Sequence, residues 1–130
     1  NITKGEYMKR AIIVTNNPLV RDTYQDRLEV QFIEGGILDV FHHVRDMIHA
    51  GHEMLSHPLS GSIKPGETIY KSVMVDRQKK SLNMDSLLIL EDAHELASHL
   101  IEKGHDRPMD EQIYKDLQFI DLTLIESALF

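Results

Sequence analysis

An uninterrupted apolar run that ends at two asparagines and a proline constrains the fold more than any other stretch. Residues 10–15 read Arg-Ala-Ile-Ile-Val-Thr. A run of this length without polar interruption indicates a strand covered on both faces. Asn17 is suited to cap a helix that begins at Pro18, because a first helical position leaves its N–H unpaired and proline has none. The run therefore predicts a buried strand that leads directly into a helix.

The same order of strand and helix continues through the first half of the chain. Residues 28–33 alternate apolar and polar side chains, which is typical of a strand. Residues 37–48 place apolar side chains at helical spacing, and Gly51 predicts the end of this helix. Residues 53–56 and 70–75 are short apolar segments that we interpret as a third and a fourth strand.

The last third of the sequence is helical. Apolar residues recur at helical spacing from about residue 85 to Lys103, and again from about residue 110 onward. Strands and helices that alternate with short connections favour a parallel sheet with right-handed crossovers and helices on both faces. We therefore expect a small α/β, Rossmann-like three-layer domain with a mostly parallel sheet and two C-terminal helices.

The N-terminal residues suggest a different origin from the rest. The stretch Lys4-Gly5-Glu6-Tyr7-Met8 can be encoded by a purine-rich ribosome-binding sequence followed by a start codon. On this hypothesis residues 1–7 are a translated leader and Met8 is the natural start; the alternative is an ordinary N-terminal extension. In both cases we expect residues 8–130 to form the single α/β domain, a size that suits one core.

Composition argues against several classes of function. The chain has no cysteine, which excludes disulfides, thiolate metal sites and cysteine nucleophiles and is compatible with the cytoplasm, where we expect the protein to be. The net charge of −7 has no basic stripe within it, so we expect no nucleic-acid partner. No apolar run approaches the roughly 20 residues of a membrane span, so we expect no membrane partner.

Ligands of open parallel sheets bind beyond the carboxyl ends of the strands. Two loops, residues 15–18 and 57–66, leave predicted strands at that edge and face each other across a crevice if the first and third strands are neighbours. Neutral donors, one lysine and one histidine there favour a small anionic metabolite, a carboxylate or a phosphate. The predicted ligand-binding residues are Asn16, Asn17, His57, Ser60, Gly61, Ser62 and Lys64.

The alternative for residues 57–66 is a plain connection, because proline, glycine and serine form turns for conformational reasons alone. The glycine-rich fingerprints of dinucleotide and P-loop sites are absent, and we predict no cofactor. The eight histidines do not form a metal motif. His94 and His99 are five residues apart where the zinc-protease helix needs four, which turns the second side chain away by ~100°. We predict no metal site.

Three stretches resemble the GrdX family. They are IIVTNNPLV at residues 12–20, EGGILDV at 34–40 and VRDMIHAGHEMLSHPLSGSIKPGETIYKSVMV at 44–75. Members of this family are small proteins encoded beside the glycine, sarcosine or betaine reductase genes of amino-acid-fermenting anaerobes. The resemblance implies a cytosolic accessory role around a selenium-dependent reductase that produces acetyl phosphate, with a component of that complex as a partner. It supplies no reaction and no catalytic residue.

Three functions remain open. The first is a non-catalytic accessory protein whose crevice holds a small anion. The second is a small enzyme that acts on a phosphorylated or carboxylated metabolite, with His57 as general acid or base. The third is an interaction module without a ligand.

The last helix carries two apolar strips, and one small domain can cover only one face of a terminal helix. We therefore predict a homodimer that buries part of residues 113–130. The alternative is a monomer in which the preceding helix and the sheet cover both strips. The first strip is Ile113, Leu117, Ile120, Leu124 and Ala128, and the second is Leu122, Ile125, Leu129 and Phe130.

Overall fold

The computed structural model describes residues 3–61, 64–103 and 110–129. In these ranges, no helix is long and apolar enough to cross a membrane. The helices and strands of the described ranges are, in chain order, α1 (Lys4–Arg10), β1 (Ala11–Thr15), α2 (Pro18–Tyr24), β2 (Glu29–Phe32), α3 (Ile37–His49), β3 (Ser72–Asp76), α4 (Met84–Lys103) and α5 (Glu111–Leu129).

The three strands form one mixed sheet in the order β2-β1-β3. The central strand β1 pairs in parallel with β2, where Ile13 lies opposite Val30. On its other side β1 pairs antiparallel with β3, where Ile13 lies opposite Met74. Every residue of β1 and β3 is buried.

Helices cover both faces of this sheet. Alternate residues of each strand point to opposite faces, so that Ile12 and Val75 pack against α3 and α4 while Ile13 and Met74 pack against α2 and α5. On the side of α3 and α4 the core includes Phe41. Helix α5 packs on the opposite face, where it forms one wall of the site described below.

The predicted mostly parallel, Rossmann-like sheet is wrong. Only one of the two strand pairs is parallel, and residues 53–56 are not a strand of the sheet. Within that segment Met54 makes an isolated antiparallel bridge to Val75, and the Leu55 N–H donates to the Met74 carbonyl at 2.7 Å. These four residues follow β3 along its outer side, so β3 lies between them and β1.

The direction of β3 follows from the loop that precedes it. The 53–56 segment runs antiparallel to β3, which is the direction of β1. At Lys71 the chain lies at the carboxyl end of β1, where the Asn16 N–H donates to the Lys71 carbonyl at 3.4 Å. A strand that begins at this end must run back along β1. The apolar run in β3 indicates burial on both faces, but it carries no information on direction.

Helix α1 lies against the sheet through two long-range contacts. The Tyr7 hydroxyl donates to the Met74 sulfur at 3.6 Å, and the Arg10 guanidinium pairs with the Asp76 carboxylate at 2.8 Å. The predicted origin of residues 1–7 as a translated leader or an extension stays a prediction.

Helix α5 buries a face different from the one with the most regular apolar pattern. Its buried residues are Leu117, Asp121, Leu122, Ile125 and Leu129. The strip that contains Leu122 and Ile125, expected to remain partly exposed, therefore belongs to the core, while Phe130 lies outside the described residues. The apolar residues that stay exposed lie in the first half of the helix and include Ile113, Tyr114, Phe119 and Ile120.

Candidate functional site

A polar cavity of about 260 Å³ opens where residues 56–60, the start of β3 and helix α5 meet. It lies at the carboxyl end of β1, because Thr15, the last residue of β1, pairs with Ser72. We call this cavity the Lys71 pocket. Its walls are formed by Ser56, His57, Ser60, Lys71, Ser72, Asp121, Leu124, Ile125, Ser127 and Ala128.

Lys71 contributes a buried positive charge to this pocket. Only 4% of the residue is exposed. Its backbone N–H donates to Asn16 Oδ1 at 2.9 Å, but within the described ranges no hydrogen bond or ion pair reaches its ammonium. Burial lowers the pKa of Lys71, and the nearby charge of Asp121 opposes that shift. The fold therefore holds an ammonium in the pocket wall without a described counter-ion in contact with it.

Asp121 contributes a buried carboxylate to the same wall. Its Oδ2 accepts hydrogen bonds from Ser72 Oγ at 2.7 Å and from Asn17 Nδ2 at 3.0 Å. Burial raises the pKa of Asp121, while these two hydrogen bonds and the charge of Lys71 work in the opposite direction. The carboxylate is thus fixed in position, and its environment as a whole raises its pKa.

A chain of hydrogen bonds fixes this carboxylate from behind. The hydroxyls of Thr15 and Ser72 lie 2.6 Å apart, and the Asn17 N–H donates to Thr15 Oγ1 at 2.9 Å. Asn17 closes the chain through its bond to Asp121. The end of β1, the start of β3 and the middle of α5 are therefore joined by one polar network.

Asn16 and Asn17, both predicted to bind ligand, lie behind the pocket wall. The Asn16 amide donates to the carbonyls of Gly35 at 3.0 Å and Ile69 at 2.7 Å, and Asn16 is 7% exposed. Asn17 is fully buried, and its Oδ1 caps α2 by accepting from the Leu19 N–H at 3.0 Å. Protein groups thus occupy the hydrogen-bonding atoms of both side chains, which position the loops that form the pocket.

His57 and Ser60, both predicted to bind ligand, line the pocket. His57 is exposed, and its Nδ1 accepts from the Leu59 N–H at 3.0 Å. This contact places the proton of the neutral ring on Nε2. Ser60 Oγ donates to the His57 carbonyl at 2.9 Å. The structure therefore brings both side chains to the same cavity as Lys71 and Asp121.

The remaining predicted site residues lie elsewhere. Gly61 and Lys64 border a separate depression that Leu96 and Leu100 of α4 also line. Gly61 has φ +104°, and a Cβ atom at this position would lie 2.5 Å from Leu124 Cδ1. Its small size therefore permits the close approach of the loop to α5. Ser62 is outside the described residues.

Sequence patterns did not predict Lys71 and Asp121, the two residues of opposite charge that line the pocket. Lys71 immediately precedes β3 and lies within the predicted strand 70–75, where a single polar residue beside apolar ones does not indicate a function. Asp121 stands among apolar residues on one face of α5, between Leu117 and Ile125, and is 6% exposed. A lone carboxylate on the apolar face of a helix was the available signal for a functional group in this helix.

A family profile described as GrdX-like protein matches residues 12–130. The chain belongs to the GrdX-like family. This confirms the resemblance seen in the sequence, and the GrdX-like region contains every residue of the Lys71 pocket. Comparison with curated proteins and with solved structures gave no match.

Proposed function

We propose that this GrdX-like chain is a non-catalytic accessory protein that binds a small anion in the Lys71 pocket. The observation that carries the proposal is the ammonium of Lys71, a residue only 4% exposed, which makes no hydrogen bond or ion pair with the residues that the structure describes. A buried charge is costly unless it is paired. A carboxylate or phosphate in the pocket can pair with this ammonium. The Ser56 hydroxyl, whose oxygen accepts from the Met74 N–H at 2.9 Å, can donate its proton to the same anion.

Asp121 affects this binding through its proton. An ionised carboxylate in the wall repels an anion, whereas a protonated one does not. Because burial already raises the pKa of Asp121, a bound anion raises it further and binding takes up a proton. The pocket thus favours anions more strongly as the pH falls toward the range in which Asp121 protonates.

Membership of the GrdX-like family supports a role of this kind in glycine reductase metabolism. GrdX-like membership suggests an association with glycine reductase genes. A cytoplasmic helper of that metabolism meets small carboxylates and phosphates, which are the ligand class that the pocket suits, and a component of the reductase complex is its proposed protein partner. The absence of cysteine fits a helper better than a redox subunit.

A second candidate is a small enzyme acting on a phosphorylated or carboxylated metabolite, with His57 as general acid or base. One observation favours it. The pKa of Lys71 is lowered and that of Asp121 is raised in the same cavity that His57 lines, and opposite shifts of this kind are common in active sites.

Thermal unfolding with candidate ligands distinguishes these functions. The panel is glycine, betaine, acetate, phosphate and acetyl phosphate, with sodium chloride at matched ionic strength as the control. A ligand at 100 times its Kd stabilises the fold by about 2.7 kcal/mol. A rise in Tm with a carboxylate or phosphate supports the binding protein, whereas no shift with any ligand favours the interaction module. Turnover that disappears in His57→Ala favours the enzyme.

A homodimer through the first half of α5 is part of the same proposal. Phe119 is 63% exposed, and Ile113 and Ile120 are also exposed. Several exposed apolar residues on one half of a helix favour a partner surface, and a two-fold axis lets one surface serve both copies.

A further inference from the structure

Two histidines from neighbouring helices meet on the sheet face opposite the Lys71 pocket. His42 lies on α3 and His94 on α4, and their Nε2 atoms are 2.9 Å apart. The ring centroids are separated by 4.9 Å, with 33° between the ring planes. The two ring nitrogens therefore face each other at hydrogen-bond distance.

The helix backbones hold this pair in position. Ala93 and Ala97 are buried in the contact between α3 and α4, and their small side chains let the two helices approach closely. Phe41 and Val44, beside His42 in the sequence, are fully buried in the same core. The two imidazoles are therefore carried by rigid elements, as a preorganised ligand pair requires.

The separation of the two nitrogens suits a transition-metal ion. Zinc binds imidazole nitrogen at about 2.0–2.1 Å, so two imidazoles on one ion have their nitrogens roughly 2.9–3.4 Å apart for angles between 90° and tetrahedral. The observed 2.9 Å falls at the lower end of this range. Without a metal ion, the Nε2–H of one ring donates a hydrogen bond to the Nε2 lone pair of the other ring. With a metal ion, the Nε2 lone pairs of both rings bind the ion.

Glu91 can complete the ligand set. It lies three residues before His94, which places both side chains on one face of α4. In the structure, Glu91 Oε1 accepts a hydrogen bond from Arg45 Nη1 at 3.2 Å. The Arg45 side chain is 31% exposed and the Glu91 side chain is 45% exposed. Exposed ion pairs of this kind contribute little stability, so the carboxylate can turn toward the histidines at small cost.

We propose that His42 and His94, completed by Glu91, bind a divalent transition-metal ion such as Zn²⁺ and bridge α3 to α4. In the described ranges no three ligands already converge on one point, so the rotation of Glu91 is part of the proposal. No local motif indicates this site, because the two histidines are 52 positions apart. The site is separate from the Lys71 pocket, and its test does not depend on the proposed function.

Calorimetric titration with Zn²⁺ tests this site. Wild type should bind one ion per chain, and His42→Ala, His94→Ala and Glu91→Gln should each weaken binding by at least about tenfold. His49→Ala and His99→Ala are matched controls, because these histidines are also exposed on α3 and α4. Both controls should bind Zn²⁺ as wild type does. His42→Gln, with unchanged far-ultraviolet circular dichroism, separates loss of a ligand from loss of the fold.

Two results would overturn the site. One is the absence of stoichiometric Zn²⁺ binding in wild type. The other is equal weakening by the control substitutions, which would indicate adventitious binding to surface histidines only. In NMR spectra of the imidazole nitrogens, a Zn²⁺-induced shift confined to Nε2 of His42 and His94 supports the site, and a shift spread over the other histidines contradicts it.

Discussion

The carboxylate of Asp121 on α5 accepts a 2.7 Å hydrogen bond from the hydroxyl of Ser72 at the start of β3. This contact joins the last helix to the sheet at the wall of the Lys71 pocket. Because Asp121 and Ser72 are both buried, the packing of α5 and the shape of the pocket depend on the same polar contact.

Removal of the Asp121 carboxylate should destabilise the fold. Asp121→Ala leaves the Ser72 hydroxyl and one Asn17 amide hydrogen without their acceptor, which should cost roughly 1–3 kcal/mol of unfolding free energy. Asp116→Ala removes an exposed carboxylate of the same helix and should change stability by less than about 0.5 kcal/mol. Urea unfolding measures both, and equal effects of the two substitutions would contradict the structural role of Asp121.

The pH dependence of stability should carry the signature of Asp121. Burial raises its folded-state pKa above the ordinary 3.8. The folded protein thus binds the Asp121 proton more tightly than the unfolded chain does, and this tighter binding stabilises the fold. The stabilisation is complete below pH 3.8 and is lost as the pH rises through the folded-state pKa. Asparagine does not titrate, so the stability of Asp121→Asn lacks this contribution to the pH dependence.

The unfolding free energy of Asp121→Asn, relative to wild type, should therefore increase as the pH rises from about 4 and become constant above the folded-state pKa. Urea unfolding of both proteins at a series of pH values measures this difference. A difference that falls with increasing pH would show that hydrogen bonding outweighs burial at Asp121.

Local structure was predictable because its signals lie within a few residues. Asn17 caps α2 and Pro18 occupies its first position, as the sequence indicates. The direction of β3 was not predictable, because it depends on where residues 57–71 deliver the chain. A 15-residue connection can lead into an antiparallel strand at the carboxyl end of β1, or it can cross to the opposite end of the sheet and lead into a parallel strand. Both connections can have the same content of glycine, proline and serine.

The site was predictable only in part for the same reason. The sequence predicts His57 and Ser60 in a loop beyond the carboxyl ends of the strands, and both residues line the Lys71 pocket. Lys71 and Asp121 meet them only through tertiary packing, since α5 follows the sheet by many residues and its register against β3 leaves no local pattern. The positive charge assigned to Lys64 is supplied to the pocket by Lys71 instead.

A side chain at Gly61 should disturb the loop that lines the pocket. Gly61→Ala introduces a Cβ 2.5 Å from Leu124 Cδ1 at a residue with φ +104°, a conformation that should cost about 1–3 kcal/mol. Gly5→Ala is the control, because a Cβ there meets nothing within 4 Å and the position is helical. Thermal unfolding should show destabilisation only for Gly61→Ala; equal Tm values would contradict the close contact.

The proposed dimer should depend on the exposed half of α5. Phe119→Lys with Ile113→Lys places charges on exposed positions and should give a monomer in light scattering across a dilution series. Leu122→Lys is unsuitable for this test because Leu122 is buried and the substitution would disrupt the core. Glu111→Lys, exposed on the same helix, controls for added charge. A wild type that is monomeric at every concentration removes the dimer.

Calorimetric titration of Lys71→Gln with inorganic phosphate and with acetate tests the binding role most directly. A hydrogen bond from a charged donor contributes about 1.5–3 kcal/mol, so Lys71→Gln should weaken binding by roughly 10- to 150-fold relative to wild type. Lys64→Gln removes an exposed lysine of the same region and should leave the Kd within about twofold. If Lys71→Gln binds both anions as tightly as wild type, or if Lys64→Gln alone loses binding, the Lys71 pocket is not the anion site.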